Sequence, residues 1–198
     1  MEAGEPARNP LVRGTRRRLD FESLRDGLLA ASGQLDDRMF GSEDHLESWP
    51  APKRRSMYAY VDRQNLPPIF RTFDFAIPDA HVPQRSYTTV PQQALYLLNH
   101  PFAHQAAEEL ARHTDVASSL RARIGQLYRL ALARDPSAEE TKLGLAFVEE
   151  ERLEEERLEE EGSGQQPSEV GSVESPPLDA WGRYAHAVLL SNEFAYVD

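Results

Sequence analysis

Apolar residues recur every three or four positions through most of this chain, which is the spacing that places them on one face of an α-helix. One such stripe runs from Arg17 to Leu35, with Gly33 near its end. Another contains Trp181, Tyr184, Ala185 and Val188 and is expected to end near Asn192. The most regular stripe consists of Leu120, Ile124, Leu127, Tyr128 and Ala131. The chain is therefore predicted to be mainly α-helical.

Two local signals mark where further helices begin. Thr89 and Gln92 have the spacing of a capping box, in which two side chains bond free backbone N–H groups of the first turn. The same spacing recurs at Ser137 and Glu140. Pro91 is compatible with a first turn, because backbone donors are free there.

A proline is expected to divide the helix after Thr89 from the next one. Pro101 lacks the N–H that a continuing helix needs, so one helix should end before it and another should run to about His113. In the helix before Pro101, Leu95 and Leu98 are predicted to face the core.

Two segments depart from the helical pattern. Residues 54–61 alternate and are rich in Tyr and Val, which predicts a short strand after a loop at 36–52. Prolines then recur through 64–88, so this segment is expected to be extended and non-helical. The fold class predicted is a mainly α domain with a small β element and a long ordered polar loop, and such loops are often functional.

The acidic charge of the chain is concentrated in one segment. The net charge is −11, yet residues 149–176 hold eleven Glu against two Arg, and the remainder has 22 acidic and 20 basic residues. The pentapeptide ERLEE occurs twice here, and a five-residue period forms no continuous apolar stripe. We predict one domain from residues 1–148 and 177–198, and a Glu-rich insert at 149–176 that begins helical and becomes disordered.

Composition excludes several kinds of site within this chain. It has no Cys, so disulfides, thiolate metal sites, Cys nucleophiles and C-x-x-C-H haem attachment are absent. No apolar run approaches the roughly 18 residues of a membrane span. No apolar segment typical of a signal peptide opens the chain as written.

The stretch from Phe70 to Phe102 carries the candidate site. It joins a dense set of polar residues to a helix start, and loops of this kind are usually held at a binding site or a junction. The candidate binding residues are Asp74, Asp79, His81, Arg85, Thr88 and Thr89. No catalytic residue is identified among them.

Other constellations of reactive residue types give weaker predictions. His100, His104 and Glu108 have the spacing of metal ligands on one helix face, but Pro101 should take His100 off that face, and no metal site is predicted. Ser86 lies near Asp79 and His81 without the G-x-S-x-G turn that would support a triad.

Binding of nucleotides or nucleic acids is not expected either. No Gly-rich phosphate loop is present. The basic cluster of Arg13, Arg16, Arg17 and Arg18 is expected to form ion pairs within the protein, because the globular part is nearly neutral.

Five blocks of the chain carry a family resemblance. In order they are NPLVRGTRRRLDFESLRDGLLAASGQLD, RRSMYAYVDR, TFDFAIPDAHVPQRSYTTVPQQALYLLNHPF, LYRLALARDPSAEE and LLSNEFAYVD. Together they resemble the C-terminal domain of unknown function of planctomycete-type cytochrome c-linked multidomain proteins. The resemblance implies haem only in an upstream domain, no cofactor in this chain, and an exported or cell-envelope location for the full-length protein. It also implies truncation, since the likeness begins near Asn9.

Three hypotheses on function follow. The leading one is a non-catalytic interaction or scaffold domain of an exported cytochrome c-linked system, which docks a protein partner or the upstream domains through residues 71–92. The alternative is an enzyme, or a subunit of one, that acts on an exported polymer such as a polysaccharide. It would use Asp74 and Asp79 as paired carboxylates about 5–9.5 Å apart. A third is an inactive truncated remnant.

Overall fold

The computed structural model describes residues 17–160 and 177–197, and this part of the chain is mainly helical, as predicted. Its helices are α1 (Phe21–Ala31), α2 (Pro68–Thr72), α3 (Pro91–Asn99), α4 (Pro101–His113), α5 (Leu120–Leu132), α6 (Ala138–Glu160), α7 (Ala180–Leu189) and α8 (Asn192–Ala195). A 3₁₀ turn covers Ser56–Tyr58. Strands β1 (Arg17–Arg18) and β2 (Tyr196–Val197) pair antiparallel, with Arg18 opposite Tyr196. Residues 1–16, with Arg13 and Arg16, lie outside the described residues, as does 161–176 of the Glu-rich segment.

The larger part of the core forms where α4 packs against α7, with α1, α5 and α6 around them. Leu110, Ile124, Leu127 and Ala185 are fully buried in it. Leu120, which the sequence placed on the same stripe as Ile124, is instead 54% exposed. It is the first residue of α5.

A smaller aromatic cluster forms between α1 and α2. Phe21 of α1 lies edge-on to Phe70, with ring centroids 5.5 Å apart, and Leu24, Leu66 and Phe73 complete the cluster. This cluster holds the start of the polar loop against the first helix. A short helix at Pro68–Thr72 was not expected, and the non-helical prediction for 64–88 is wrong there. Pro68 occupies the first turn, where its missing N–H has no consequence.

Helix α1 is shorter than the stripe from Arg17 to Leu35 suggested. Asp20 caps it by accepting a hydrogen bond from Ser23 N at 2.8 Å, while Arg17 and Arg18 before it are drawn into strand β1. The helix ends at Ala31, and Gly33 follows with φ of +67°, a conformation that suits glycine.

The strand predicted at 54–61 is wrong, because helix α1 uses the hydrogen-bonding groups of this segment. Asp26 accepts hydrogen bonds from both the N–H and the hydroxyl of Ser56, each at 2.7 Å. Arg25 donates to the Arg54 carbonyl at 3.0 Å. Only isolated bridges, at Arg54 and Ala59, resemble strand pairing in this segment.

Proline and serine set helix boundaries largely as predicted. Helix α3 ends at Asn99 and α4 begins at Pro101. At the start of α6, Ser137 Oγ accepts from Glu140 N at 3.1 Å and Glu140 accepts from Ser137 N at 2.7 Å, which confirms this capping box. A hydrogen bond from Arg134 is the main reason that the pKa of Glu140 falls to about 2.

The start of α3 differs from the prediction by one residue. Val90 precedes the helix, and its N–H donates to Gln93 Oε1 at 3.4 Å, so Thr89 and Gln92 do not form the box. Leu95 and Leu98, predicted to face inward, are 53% and 49% exposed. The buried position on this helix is Gln93, whose amide donates to the Thr72 carbonyl at 2.8 Å.

The first part of the Glu-rich segment continues helix α6 without a break to Glu160. Arg183 of α7 forms an ion pair with Glu151 at 2.7 Å and another with Glu155. These pairs place one face of the acidic helix against the core. No helix in the described ranges combines the length and apolar character that crossing a membrane would need.

Replacement of Gly144 by alanine should destabilise the α6–α7 contact. A Cβ at this position would contact the Tyr184 hydroxyl and lie 2.7 Å from its Cζ, and Tyr184 is buried. We expect Gly144→Ala to lower the free energy of unfolding by about 1–2 kcal/mol, despite the better helix propensity of alanine. Gly125→Ala is the matched control, because the nearest atoms to its Cβ lie 3.9 Å away, and it should gain up to about 1 kcal/mol. Urea unfolding measures both, and equal stability of the two variants would contradict the packing described.

Candidate functional site

Asp74 ties both ends of the polar loop together. It follows α2 in a left-handed conformation, φ +59°, which Asp tolerates better than most residues. Its carboxylate accepts from Arg18 Nη2 at 3.1 Å, from Thr88 N at 2.8 Å and from Thr88 Oγ1 at 2.8 Å. Both carboxylate oxygens therefore have donors, and Asp74 acts here as the acceptor that closes the loop onto strand β1.

Arg85 holds the middle of the loop against α1. It donates to Glu22 at 2.9 Å, and its guanidinium lies 4.7 Å from the centroid of the Phe75 ring. The hydrogen bond to Glu22 raises the pKa of Arg85 above its usual range. This contact joins two charged residues that are 63 positions apart in the chain.

The tip of the loop is held more loosely. Asp79 lies 3.2 Å from Arg63, and both side chains are mostly exposed. His81 and Ser86 are exposed, and within the described residues no hydrogen bond joins either of them to Asp79. The six predicted binding residues therefore divide into anchors (Asp74, Arg85 and Thr88) and exposed positions (Asp79, His81 and Thr89).

Exposed apolar side chains accompany these anchors. Ile77 is 62% exposed, and Val82 and Tyr87 also lie on the surface of the loop. On the helix that follows, Leu95 and Leu98 are exposed as well. We call these five residues the apolar loop surface. A backbone fixed at Asp74 and Arg85 thus presents apolar groups to its surroundings.

The histidines near Pro101 have structural roles. His100 caps α4 by accepting from Phe102 N at 3.2 Å, and burial is the main reason that its pKa is lowered. His104 lies edge-on to His186, with ring centroids 4.9 Å apart. Across the described ranges, no three His, Asp or Glu side chains are grouped so that they could hold a metal ion.

Two cavities adjoin the anchors. The larger, about 620 Å³, lies between α1 and residues 55–61, with Asp20, Glu22 and Asp26 on one side and Arg85 at its edge. The smaller, about 300 Å³, lies between strand β1, the start of α3 and the C-terminal segment. We call it the β1–α3 pocket. Arg18 lines it, although the sequence assigned this residue only to a basic cluster, and no local pattern signals that residues 17–18 and 196–197 meet there.

Comparison with known proteins identifies a family. No curated protein and no solved structure matches this chain. One family model matches residues 1–148, three quarters of the chain, and thus includes the polar loop, its anchors and helices α1 to α5. Helix α7 and strand β2 lie beyond the matched residues, but α7 packs against α4 and β2 pairs with β1, both of which the family model includes. The chain accordingly belongs to the PSD1 family of proteins of unknown function (DUF1553).

Proposed function

We propose that this chain is a non-catalytic interaction domain whose docking surface is the apolar loop surface. The observation that supports the proposal is the combination of a fixed backbone with exposed apolar side chains. Exposed apolar side chains bordered by polar residues are a common feature of protein interaction sites. Here Ile77 and Tyr87 of the loop and Leu95 of α3 are each about half or more exposed. Hydrogen bonds of Asp74 and Arg85 hold the loop in place.

Anchoring of the loop at Asp74 and Arg85 is what suits this surface to binding. A surface that is already ordered loses little conformational entropy when a partner arrives, so more of the apolar contact contributes to affinity. The anchoring residues themselves are poor candidates for direct contact, because Asp74 and Arg85 are occupied by Thr88, Arg18 and Glu22. The partner would therefore contact the apolar side chains and the exposed Asp79, His81 and Thr89.

The partner we propose is an upstream domain of a cytochrome c-linked polypeptide of the cell envelope. The resemblance described above motivates this choice, since it places a haem-binding segment before the domain. Haem would then reside in that segment and not in this chain. An anti-chain immunoblot of native cells, combined with a haem stain, would detect the two on one polypeptide or on separate ones.

A retention experiment tests the docking surface. The tagged chain is incubated with a native cell-envelope extract, and the retained haem-positive polypeptide is quantified. We expect the Ile77→Asp/Leu95→Asp variant to retain at least tenfold less, because charges would face an apolar partner. Leu143→Asp is the matched control, since Leu143 is 64% exposed on α6, away from the loop. Equal retention by the double variant and the wild-type chain would exclude this surface.

A further inference from the structure

The β1–α3 pocket is lined mostly by apolar side chains and includes one cationic side chain. Its volume is about 300 Å³, at the small end of the range for ligand pockets. The apolar lining comes from Leu24, Phe73, Leu97, Leu98 and Leu190. Among the described residues that line it there is no Asp or Glu.

The cationic side chain, Arg18, has unused hydrogen-bonding capacity. It is 8% exposed, and Nη2 makes one bond, to Asp74 at 3.1 Å. Its Nε and Nη1 are buried and have no acceptor, although the guanidinium lies 5.3 Å from the centroid of the Phe73 ring. Buried donors without acceptors are uncommon in folded proteins, because each one loses its bond to water. An acceptor that reached these nitrogens would remove that cost.

A second source of positive potential lies on the same pocket. Helix α3 is nine residues long, and Thr89, Val90, Gln93 and Ala94 at its start line the cavity. The N-terminus of a helix carries partial positive charge, which favours an anion, although Pro91 has no N–H and Gln93 N already donates to the Val90 carbonyl at 3.1 Å. Arg18 and the helix start therefore favour the same sign of ligand charge.

We propose that the β1–α3 pocket binds a small apolar carboxylate, such as a branched aliphatic or aromatic acid. The carboxylate would accept hydrogen bonds from Arg18 and lie near the start of α3, while the hydrocarbon part would contact Phe73, Leu97 and Leu98. The apolar lining and the two unpartnered nitrogens of Arg18 carry this proposal. It does not depend on the docking role proposed above.

Isothermal titration of the full chain with isocaproate and with phenylpropanoate tests the ligand class. We expect saturable binding of at least one acid, and at least tenfold weaker binding of the corresponding amide, which lacks the charge. Tenfold corresponds to about 1.4 kcal/mol. Absence of saturable binding for both acids, or equal binding of acid and amide, would overturn the proposal.

Three variants test where the acid binds. Ala94→Phe places a ring in the pocket from an exposed helical position, and it should weaken binding of the acid at least tenfold. Gln92→Phe is the matched control, because Gln92 is exposed on the same helix and does not line the pocket. Arg18→Gln should abolish the preference for acid over amide. Unchanged binding in Ala94→Phe would place any observed site elsewhere.

The same titration distinguishes two sources of the carboxylate. An acetylated tripeptide that ends in leucine presents the same chemistry as isocaproate, with a polypeptide attached. Tighter binding of the tripeptide than of isocaproate would identify a chain terminus, and the reverse would identify a free acid. The variants leave Ile77 and Leu95 unchanged, so failure of this proposal and failure of the docking surface are distinguishable.

Discussion

Ala185→Asp should abolish stable folding, whereas Ala187→Asp should have little effect. Ala185 is fully buried on α7 within the cluster that contains Leu110 and Ile124, and an aspartate there would be a buried charge without a partner. Such a charge costs several kcal/mol, comparable with the total stability of about 5–15 kcal/mol of a typical domain. Ala187 lies two residues further along the same helix and is exposed. Its replacement should cost about 1 kcal/mol or less.

Circular dichroism and urea unfolding of the two variants measure this difference. The result bears on the extent of the folded unit, because α7 lies outside residues 1–148, the part that the family model matches. Loss of the cooperative transition in Ala185→Asp alone would show that residues 180–189 belong to the same core as α4. Equal urea midpoints for the two variants would contradict the α4–α7 packing described here.

Asp74→Ala should lower the free energy of unfolding by about 2–4 kcal/mol, the second largest effect that we expect. Arg18 is buried, and within the described residues Asp74 is its only hydrogen-bond acceptor, which the change removes. It also removes both bonds to Thr88 and leaves an alanine in a left-handed conformation. The loop of residues 75–87 should then become a preferred site of limited proteolysis.

Two further variants separate these causes. Asp74→Asn keeps an acceptor and tolerates the left-handed backbone, so it should be less destabilised than Asp74→Ala. Asp74→Gly removes every side-chain acceptor but relieves the backbone strain. Its free energy of unfolding should therefore lie between those of the other two variants, about 1 kcal/mol above that of Asp74→Ala. Urea unfolding ranks the three. If Asp74→Ala matched the wild-type chain in stability and in protease resistance, Asp74 would not be the anchor of the loop.

The candidate site was only partly accessible from the sequence. The richness of residues 70–102 in polar and proline residues pointed to an ordered loop, yet the partners of that loop lie elsewhere in the chain. Arg18, which bonds Asp74, is 56 residues away from it in the chain. Glu22, which bonds Arg85, is 63 residues away from it. Nothing in the local sequence indicates such pairs. The binding role of the six predicted residues stays a prediction.

Errors in the fold prediction share one physical origin. Residues 54–61 have the alternation of a strand, but Arg25 and Asp26 of α1 bond their backbone and hold a 3₁₀ turn. Leu95 and Leu98 have the spacing of a buried stripe, but the neighbouring elements cover the opposite side of α3, where Gln93 is buried. In each case a contact with a distant part of the chain outweighed a local preference.

The sequence by itself determined the helical class of this protein and several boundaries, among them Pro101 and the Ser137–Glu140 cap. These features depend on hydrogen bonds within a few residues and on a repeating apolar face, which local residues specify. Only the tertiary structure decided which helix faces are buried, how strands β1 and β2 pair residues 17–18 with 196–197, and where Arg18 lies. Those features depend on contacts between residues far apart in the chain, and the free energy of burial that selects them is shared across the whole core.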